Sequence, residues 1–156
     1  MLLLMALFLN MAQKKYDAFD HASHNLKAHN FIKDSTQFPD WEITTAFYCS
    51  LKFFEGSLFP DSYLHPGKED EGEKRDFSSY NEYKQVFSRF CQGTPHDVMK
   101  KFVKHNTTTE IWNSYNDLYD LCHNSRYKNY QIDPRDLTIA KESLESIRKY
   151  CTDNLK

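Results

Sequence analysis

Hydrophobic side chains recur at steps of three and four residues along most of this chain, the spacing that places them on one face of an α-helix. The first such run starts at Tyr16 and predicts an amphipathic helix that ends near Asp34. Its expected apolar positions are Phe19, Ala22, Leu26 and Phe31. The pattern therefore predicts a first helix that buries one of its sides.

A second helix is predicted over "FPDWEITTAFYCSLKFFEG", with Asp40 as the residue that caps its start. The residues of its predicted apolar stripe are Trp41, Thr45, Tyr48 and Leu51. Three further aromatic residues, Phe47, Phe53 and Phe54, fall on other faces of the same helix. A helix that is apolar on most sides is expected either at the centre of the fold or against a partner subunit.

Residues 60–77, "PDSYLHPGKEDEGEKRDF", interrupt the helical pattern with two prolines, two glycines and a dense run of mixed charge. This composition is typical of an exposed loop, so we expect the segment to contribute nothing to the core. Helical spacing returns in "SSYNEYKQVFSRF" and is expected to stop at Gly93. The apolar face predicted for this helix comprises Tyr83, Val86, Phe87 and Phe90.

The next helix has a clear predicted start at "TPHD", residues 94–97. Thr94 can cap this helix, and Pro95 suits the first helical position because its missing N–H is not needed there. Asp97 can reach back to form a capping box with Thr94. The same order of residues recurs in "DPRD" at 133–136, which predicts the start of the last helix.

Two more apolar stripes complete the pattern. The segment "TTTEIWNSYNDLYDLCHNSRYKNY" carries a stripe of Ile111, Tyr115, Leu118 and Cys122. The last helix carries a stripe of Leu137, Ala140, Leu144, Ile147 and Cys151. Because the pattern gives five or six helices and no convincing strand, the sequence predicts an all-α fold, a five- to six-helix up-and-down bundle.

The chain has 156 residues and is predicted to form one folded domain. We divide it into an apolar N-terminal extension, residues 1–13, and a single helical domain, residues 14–156, with the exposed loop at about 60–77. The apolar run in the extension is shorter than the roughly 20 residues that a membrane-spanning helix needs. It also lacks the basic start and small-residue cleavage site of a secretory signal. We therefore expect a cytoplasmic protein with no membrane partner.

Composition narrows the classes of function. The formal net charge is -2, so an anionic partner such as RNA requires a locally basic face. The four glycines form neither a phosphate-binding loop nor a dinucleotide-binding fingerprint. The four cysteines are too widely spaced for a zinc ribbon or a redox motif, and we expect them to be small buried side chains.

Four segments, in this order, resemble the HEPN family of small helical-bundle proteins. The segments are "PDWEITTAFYCSLKFFEG", the helix that starts at "PHDVMKKFV", "YNDLYDLCHNSRYKNY" and the terminal amphipathic helix. The most specific parts are the "DW" and "AFY" of residues 40–48 and the "LYDL" and "SRY" of residues 118–127. The likeness extends over residues 14–152, and the order of the segments is more specific than any one of them.

The resemblance implies a helical bundle that is commonly a homodimer and that belongs to prokaryotic conflict systems such as toxin–antitoxin pairs. Some members of the family cleave RNA without a metal ion, using an Arg that is followed a few residues later by a His. Members are also often encoded beside a small nucleotidyltransferase that acts as their antidote, and such a protein is the partner implied here. No metal and no other cofactor are implied.

Arg89 and His96 are the pair that the resemblance identifies as candidate catalytic residues, although Gly93 and Pro95 lie between them, so that the pair spans a turn. Metal-free cleavage of RNA needs a base that takes the proton of the 2′-hydroxyl and a cation that stabilises the charge on the phosphate. His96 can be the base because an imidazole changes its protonation near neutral pH. Arg89 can hold a phosphate through two hydrogen bonds.

Basic and aromatic residues near this pair are candidates for binding phosphate or RNA. Three of them follow His96 in the same predicted helix: Lys100, Lys101 and Lys104. Arg126 and Tyr127 are two more, because a cation beside an aromatic ring can clamp single-stranded RNA. The alternative for these two residues is structural, with Tyr127 packed in the bundle and Arg126 paired with an acid such as Asp117 or Asp120.

Three histidines of the first predicted helix, His21, His24 and His29, raise the question of a metal site. His21 and His24 are three residues apart and share a face, but no carboxylate or thiol has the spacing to complete a ligand set. We therefore assign no metal.

Three interpretations of the function stay open at this stage. The first is a metal-independent endoribonuclease or toxin-type effector that uses His96 and Arg89. The second is a non-catalytic HEPN-like module that binds a protein partner, such as a nucleotidyltransferase, or a nucleotide, through the aromatic residues around Phe53, Phe54 and Phe59. The third is a plain helical protein whose likeness to the family is accidental.

Overall fold

The computed structural model describes residues 17–128 and 131–156, so the extension predicted at 1–13 lies outside the described residues. The described part is mostly helical, which confirms the helical class predicted from the sequence. Its helices are α1 (Ala18–Ser35), α2 (Pro39–Ser57), α3 (Tyr80–Phe90), α4 (Pro95–Asn106), α5 (Thr109–Tyr127) and α6 (Pro134–Asp153). Two short strands, β1 (Asp61–Leu64) and β2 (Lys74–Phe77), lie between α2 and α3. Within these residues no helix has both the length and the hydropathy to cross a membrane.

The start of α4 matches the sequence prediction closely. Thr94 Oγ1 accepts a hydrogen bond from the Asp97 N–H at 3.4 Å, and the Asp97 carboxylate accepts one from the Thr94 N–H at 2.6 Å. Pro95 follows the cap at the first helical position. The predicted capping box is confirmed, and it fixes the position of the next residue, His96, in the first turn of the helix.

The start of α6 also matches the prediction, whereas the start of α2 does not. At α6 the Asp133 carboxylate accepts a hydrogen bond from the Arg135 N–H at 2.8 Å, so Asp133 is the predicted cap. At α2 the prediction that Asp40 caps the helix is wrong, because the helix begins at Pro39 and Asp40 lies inside its first turn. The proline at the first position of α2 sets the backbone without a side-chain cap.

α2 lies at the centre of the described bundle, where it packs against α1, α5 and α6. Its buried aromatic side chains are Phe47, Phe53 and Phe54, whereas Trp41 and Tyr48 are 56% and 38% exposed. The predicted apolar stripe is therefore wrong at Trp41 and Tyr48, whereas Leu51 does pack against the core and the expected central position of the helix is confirmed. A helix with three neighbouring helices has several buried faces, so a spacing of three and four residues does not single out the correct one.

The aromatic surface proposed for a binding module is also wrong. Phe53, Phe54 and Phe59 are 3%, 0% and 9% exposed, so their rings belong to the core and cannot contact a partner.

The segment predicted to be an exposed loop at 60–77 forms an antiparallel β-hairpin instead. Asp61 of β1 pairs with Phe77 of β2, and Tyr63 pairs with Arg75. Tyr63 and Phe77 are 8% and 1% exposed, so the segment does contribute to the core. The sequence pattern missed this hairpin because each strand has a single buried side chain, Tyr63 in β1 and Phe77 in β2, and the charged residues 74–76 of β2 are exposed, as is typical of a loop.

The hairpin is fixed to one side of α4. The Leu64 N–H donates a hydrogen bond to Asn106 Oδ1 at 2.8 Å, and the rings of Tyr63 and Phe102 lie 4.9 Å apart. An ion pair joins Lys101 Nζ to Glu69 Oε1 at 3.1 Å. These contacts hold α4 in place while another side of the helix faces the candidate site described below.

α1 packs against α2 at very short range. A Cβ atom at Gly56 would lie 2.3 Å from the backbone nitrogen of Phe19, so only glycine fits at this crossing. Ala22 is fully buried as predicted, but Phe31, which was expected on the same face, is 79% exposed and His29 is buried instead. Seven residues after Ala22 the helix has made almost two turns and returns to the same face, whereas nine residues bring Phe31 to the opposite face.

The cysteines behave largely as the sequence predicts. Cys49, Cys122 and Cys151 are buried and Cys91 is half-buried, and all are free thiols. Burial raises the pKa of the Cys49 thiol to about 12, so this group is inert at neutral pH.

Candidate functional site

Two histidines and an arginine, His96, His123 and Arg126, line one cavity of about 330 Å³. The cavity lies where the start of α4 meets residues 47–48 of α2 and residues 119–127 of α5. Its remaining walls are formed by Phe47, Tyr48, Thr94, Tyr119, Cys122 and Tyr127. We call this cavity the His96 groove. It brings together two imidazoles, one guanidinium and several aromatic rings, which is a combination suited to phosphate and nucleobase contacts.

His96 is held at the groove by the local sequence and by two rings. The capping box of α4 sets its backbone position, as described above. Its imidazole lies 5.7 Å from the ring of Phe47 and 6.3 Å from the ring of Tyr119, measured between ring centroids. The side chain is half-buried, so it is oriented by the fold and still reachable from the groove.

Arg126 is oriented by two tyrosines. Its Nη1 donates a hydrogen bond to Tyr48 Oη at 3.0 Å, and its guanidinium lies 5.3 Å from the ring centre of Tyr127. The Tyr127 side chain is 68% exposed. The structural alternative for these two residues is therefore wrong, because Tyr127 is not packed in the bundle and the observed partner of Arg126 is a hydroxyl. Its remaining N–H donors can contact a ligand.

His123 is a site residue that the sequence analysis did not identify. Its ring lies 5.2 Å from that of Tyr127 at the last turns of α5, and the side chain is exposed. Tyr119, His123 and Arg126 are spaced by four and three residues, which places them on one face of the helix. That spacing was the available signal, but the apolar stripe beside it was the more obvious feature of the same segment.

Arg89 is exposed in the last turn of α3. It lines neither of the two described cavities to which His96 contributes. The structure thus places Arg126, and not Arg89, in the same groove as His96. The chain turn between α3 and α4 at Gly93 and Thr94 separates the two members of the predicted pair.

The predicted lysines lie beside a second cavity of about 430 Å³, which we call the Trp112 cavity after the α5 residue in its wall. Lys100, Lys101 and Lys104 all contribute to it. Lys100 also connects it to the His96 groove, because Lys100 Nζ lies 4.5 Å from the ring centre of Tyr119 and 6.0 Å from that of Trp112. The basic residues of α4 therefore continue the surface that begins at His96.

Two carboxylates near these cavities are committed to structural contacts. Hydrogen bonds from the Thr94 N–H and hydroxyl lower the pKa of Asp97, which stays ionised as part of the helix cap. Burial favours the neutral form of Glu69, but backbone hydrogen bonds and Lys101 hold its pKa below the ordinary value. Since Glu69 pairs with Lys101, this lysine has less charge to offer a ligand than Lys100 or Lys104.

Among the described residues no group of three or more His, Cys, Asp or Glu side chains is arranged to hold a metal ion. His29, one of the three histidines considered for a metal, is buried between α1 and α2 and contacts Glu42 and Thr45. Neither His21 nor His24 lines the His96 groove.

Comparisons of this chain with protein-family models, with curated proteins and with solved structures gave no match. The function is therefore inferred from the residues of the site.

Proposed function

We propose that this chain is a HEPN-like protein, an up-and-down helical bundle that binds single-stranded RNA in the His96 groove and cleaves it without a metal ion. The observation that carries this proposal is the presence of His96, His123 and Arg126 in one cavity with aromatic walls. Two imidazoles can serve as base and acid, and a guanidinium can neutralise a phosphate. The proposal keeps His96 from the sequence analysis and replaces Arg89 by Arg126.

Each of the three side chains has a role in the cleavage step. Neutral His96 takes the proton of the 2′-hydroxyl, and the 2′-oxygen attacks the adjacent phosphorus. The bond between phosphorus and the 5′-oxygen breaks, and protonated His123 gives its proton to that oxygen. Arg126 stabilises the added negative charge on the phosphate oxygens. The products are a 2′,3′-cyclic phosphate and a 5′-hydroxyl end, with no metal or water consumed.

The aromatic walls explain why the substrate would be single-stranded. Bases in a duplex are stacked on one another, whereas unpaired bases are free to stack on protein rings. Tyr127 presents a largely exposed ring beside Arg126, and the Tyr48 hydroxyl accepts a hydrogen bond from the guanidinium. A phosphate on Arg126 and a base on Tyr127 would place the ribose between them and near the imidazoles.

The experiment that tests this function is cleavage of a labelled single-stranded RNA by the purified protein in the presence of EDTA. We expect cleavage by the wild type, and losses of at least about 100-fold for His96→Ala, His123→Ala and Arg126→Ala. Mass spectrometry of the products should show the cyclic phosphate. Arg89→Ala and His24→Ala remove the same side-chain types from exposed positions outside the groove and should keep wild-type rates.

Two results would contradict the proposal. Cleavage that survives in His96→Ala would show that a different residue or a contaminating enzyme acts as the base. Binding of RNA that depends on Arg126 without any cleavage would reduce the function to a non-catalytic RNA-binding module. Circular dichroism and thermal unfolding of each variant separate a loss of chemistry from a loss of fold.

The wider setting of this activity is proposed from the family resemblance. It comprises a homodimer, a cytoplasmic location and control by a nucleotidyltransferase-type antidote protein. Light scattering of the purified protein tests the dimer. Growth arrest on expression, relieved when a neighbouring nucleotidyltransferase is co-expressed, tests the toxin–antitoxin arrangement, and arrest that persists in His96→Ala would argue against it.

A further inference from the structure

We propose that the Trp112 cavity binds a second nucleotide of the same RNA strand, with its base stacked on Trp112 and its phosphate held by Lys100 and Lys104. This inference rests on the proposed RNA function of the His96 groove. It adds a substrate requirement to that function, because the preferred substrate is then an RNA strand long enough to occupy both cavities.

The side chain of Lys100 connects the two cavities. Tyr119 lines the His96 groove, Trp112 lines the second cavity, and both rings project from α5 two turns of helix apart. Lys100 of α4 lies over both rings, at 4.5 Å from the centre of Tyr119 and 6.0 Å from that of Trp112. A strand that leaves the groove past Tyr119 would therefore meet the Lys100 ammonium group before it reaches Trp112.

The charges in the Trp112 cavity favour an anion. Asp97 and Lys101 also line it: Lys101 is paired with Glu69, and the Asp97 carboxylate, which caps α4, stays ionised and offsets part of the positive charge of Lys100. Among the described residues, neither Lys100 nor Lys104 forms an ion pair, and Lys104 is exposed. His105 is a further basic group on the same cavity wall. Two unpaired ammonium groups about one cavity are suited to one phosphate group.

Trp112 offers a supported aromatic surface for a base. Its ring is half-buried and stacks on Tyr115 with an interplanar angle of 28°. Tyr115 is fully buried, so it holds the indole in a fixed orientation from the inner side. The cavity volume of about 430 Å³ lies within the range of small-ligand sites and is enough for one nucleotide. A free nucleotide has the same chemistry as a nucleotide within a strand, so the test must separate the two.

Fluorescence of Trp112 tests the proposal directly. The chain contains two tryptophans, and Trp41→Phe leaves Trp112 as the single source of the signal. The probe is a 2′-O-methyl hexaadenylate, which lacks the free 2′-hydroxyl and cannot be cleaved. We expect saturable quenching by this strand, because the stacked base contacts the indole, and at least about tenfold weaker quenching by adenosine monophosphate.

Variants measured with a fluorescently labelled copy of the same strand give the second readout. Trp112→Leu should weaken binding about tenfold, and Trp112→Phe, which keeps an aromatic ring, should restore most of the affinity. The double variant Lys100→Gln with Lys104→Gln should weaken binding by at least about tenfold. The matched control is Lys27→Gln with Lys141→Gln, which removes two positive charges from exposed positions on α1 and α6 and should have little effect.

The outcomes separate this inference from the proposed function. If the strand binds in a manner that depends on Arg126 while Trp112→Leu binds normally and Trp112 fluorescence is unchanged, the second site is rejected and the groove stands. If the strand quenches Trp112 fluorescence but Arg126→Ala binds the strand with wild-type affinity, the second site stands and the groove is rejected. Equal quenching by adenosine monophosphate would make the cavity a free-nucleotide site, and no binding at all would reject both proposals.

Discussion

His29 shows how a single buried residue of α1 ties the first two helices together. Its Nδ1 lies 3.2 Å from the backbone oxygen of Glu42 and 3.1 Å from Thr45 Oγ1, so a neutral imidazole can donate one hydrogen bond to α2. Burial lowers the pKa of His29 below its ordinary value, the contact with the Glu42 carbonyl opposes this shift, and Lys33 adds to it. The folded chain therefore favours the neutral form of this side chain.

A pH-dependent stability follows from His29. The unfolded chain takes up a proton at an ordinary histidine pKa of about 6.5, whereas the folded chain takes it up only at lower pH. His29 therefore stabilises the fold fully above that ordinary value, and this contribution is lost as the pH falls below it toward the lowered pKa. We expect the free energy of unfolding to decrease between about pH 7 and pH 5, by at most about 1.4 kcal/mol per pH unit from this group.

Denaturant unfolding at a series of pH values measures this effect. His29→Gln should be less stable at neutral pH and should lack the histidine-dependent part of the decrease, while His24→Gln at an exposed position should follow the wild type. The comparison also separates His29 from Glu42. Burial raises the pKa of the Glu42 carboxyl, so its protonation increases the free energy of unfolding as the pH falls, opposite to the effect of His29. Parallel curves for wild type and His29→Gln would contradict the assignment.

At the scale of single elements, the helix starts were the most predictable features. The cap at Thr94 and the prolines at the first turns of α4 and α6 are local signals, because the atoms that satisfy the first N–H groups lie within three residues. The β-hairpin was not predictable in the same way. Its inward residues depend on partners outside the hairpin, since Tyr63 packs against Phe102 of α4 and Phe77 packs against Tyr83 of α3.

The candidate site shows the same division between local and long-range information. The spacing of Tyr119, His123 and Arg126 on one face of α5 is local and could be deduced from the sequence. The approach of His96 to this face depends on the packing of α4 against α5 and α2, which no spacing within one segment determines. The family resemblance, which looks for an Arg shortly before a His along the chain, pointed to Arg89, whereas Arg126 joins His96 only through this packing.

The crossing of α1 and α2 makes a testable prediction about an element contact. A methyl group at Gly56 would lie 2.3 Å from the Phe19 nitrogen, which belongs to the backbone of α1 and cannot rotate away. We expect Gly56→Ala to lower the free energy of unfolding by about 1 to 3 kcal/mol, although alanine is the better helix former. Gly56→Val should cost more, because a larger side chain must push the helices further apart.

Chemical denaturation of the three proteins at one pH measures these losses. The useful comparison is the order wild type, alanine, valine, since helix propensity alone would predict that alanine stabilises. A Gly56→Ala protein as stable as the wild type would show that α1 does not approach α2 at this point.

At the scale of the whole molecule, the distribution of charge matters more than its sum. The net charge of -2 gives no general attraction for RNA, so the proposed RNA binding depends on the local surface that runs from Arg126 past Lys100 to Lys104. Of the acidic side chains near that surface, Glu69 is paired with Lys101, whereas Asp97 is held by Thr94, stays ionised and offsets part of the charge of Lys100. We call this surface of Arg126, Lys100 and Lys104 the basic track. A protein with a net negative charge can carry such a track without attracting polyanions in general.

The number of phosphates on this track can be measured from the salt dependence of binding. Each phosphate neutralised on a single strand contributes about -0.7 to the slope of log affinity against log salt concentration, so three contacts predict a slope of about -2. Arg126→Ala should make the slope less negative by about 0.7, since one phosphate contact is lost. Arg89→Ala removes the same charge outside the track and should leave the slope unchanged. Equal slopes for the wild type and Arg126→Ala, or an equal change for Arg89→Ala, would mean that RNA responds to the overall charge of the protein and not to this surface.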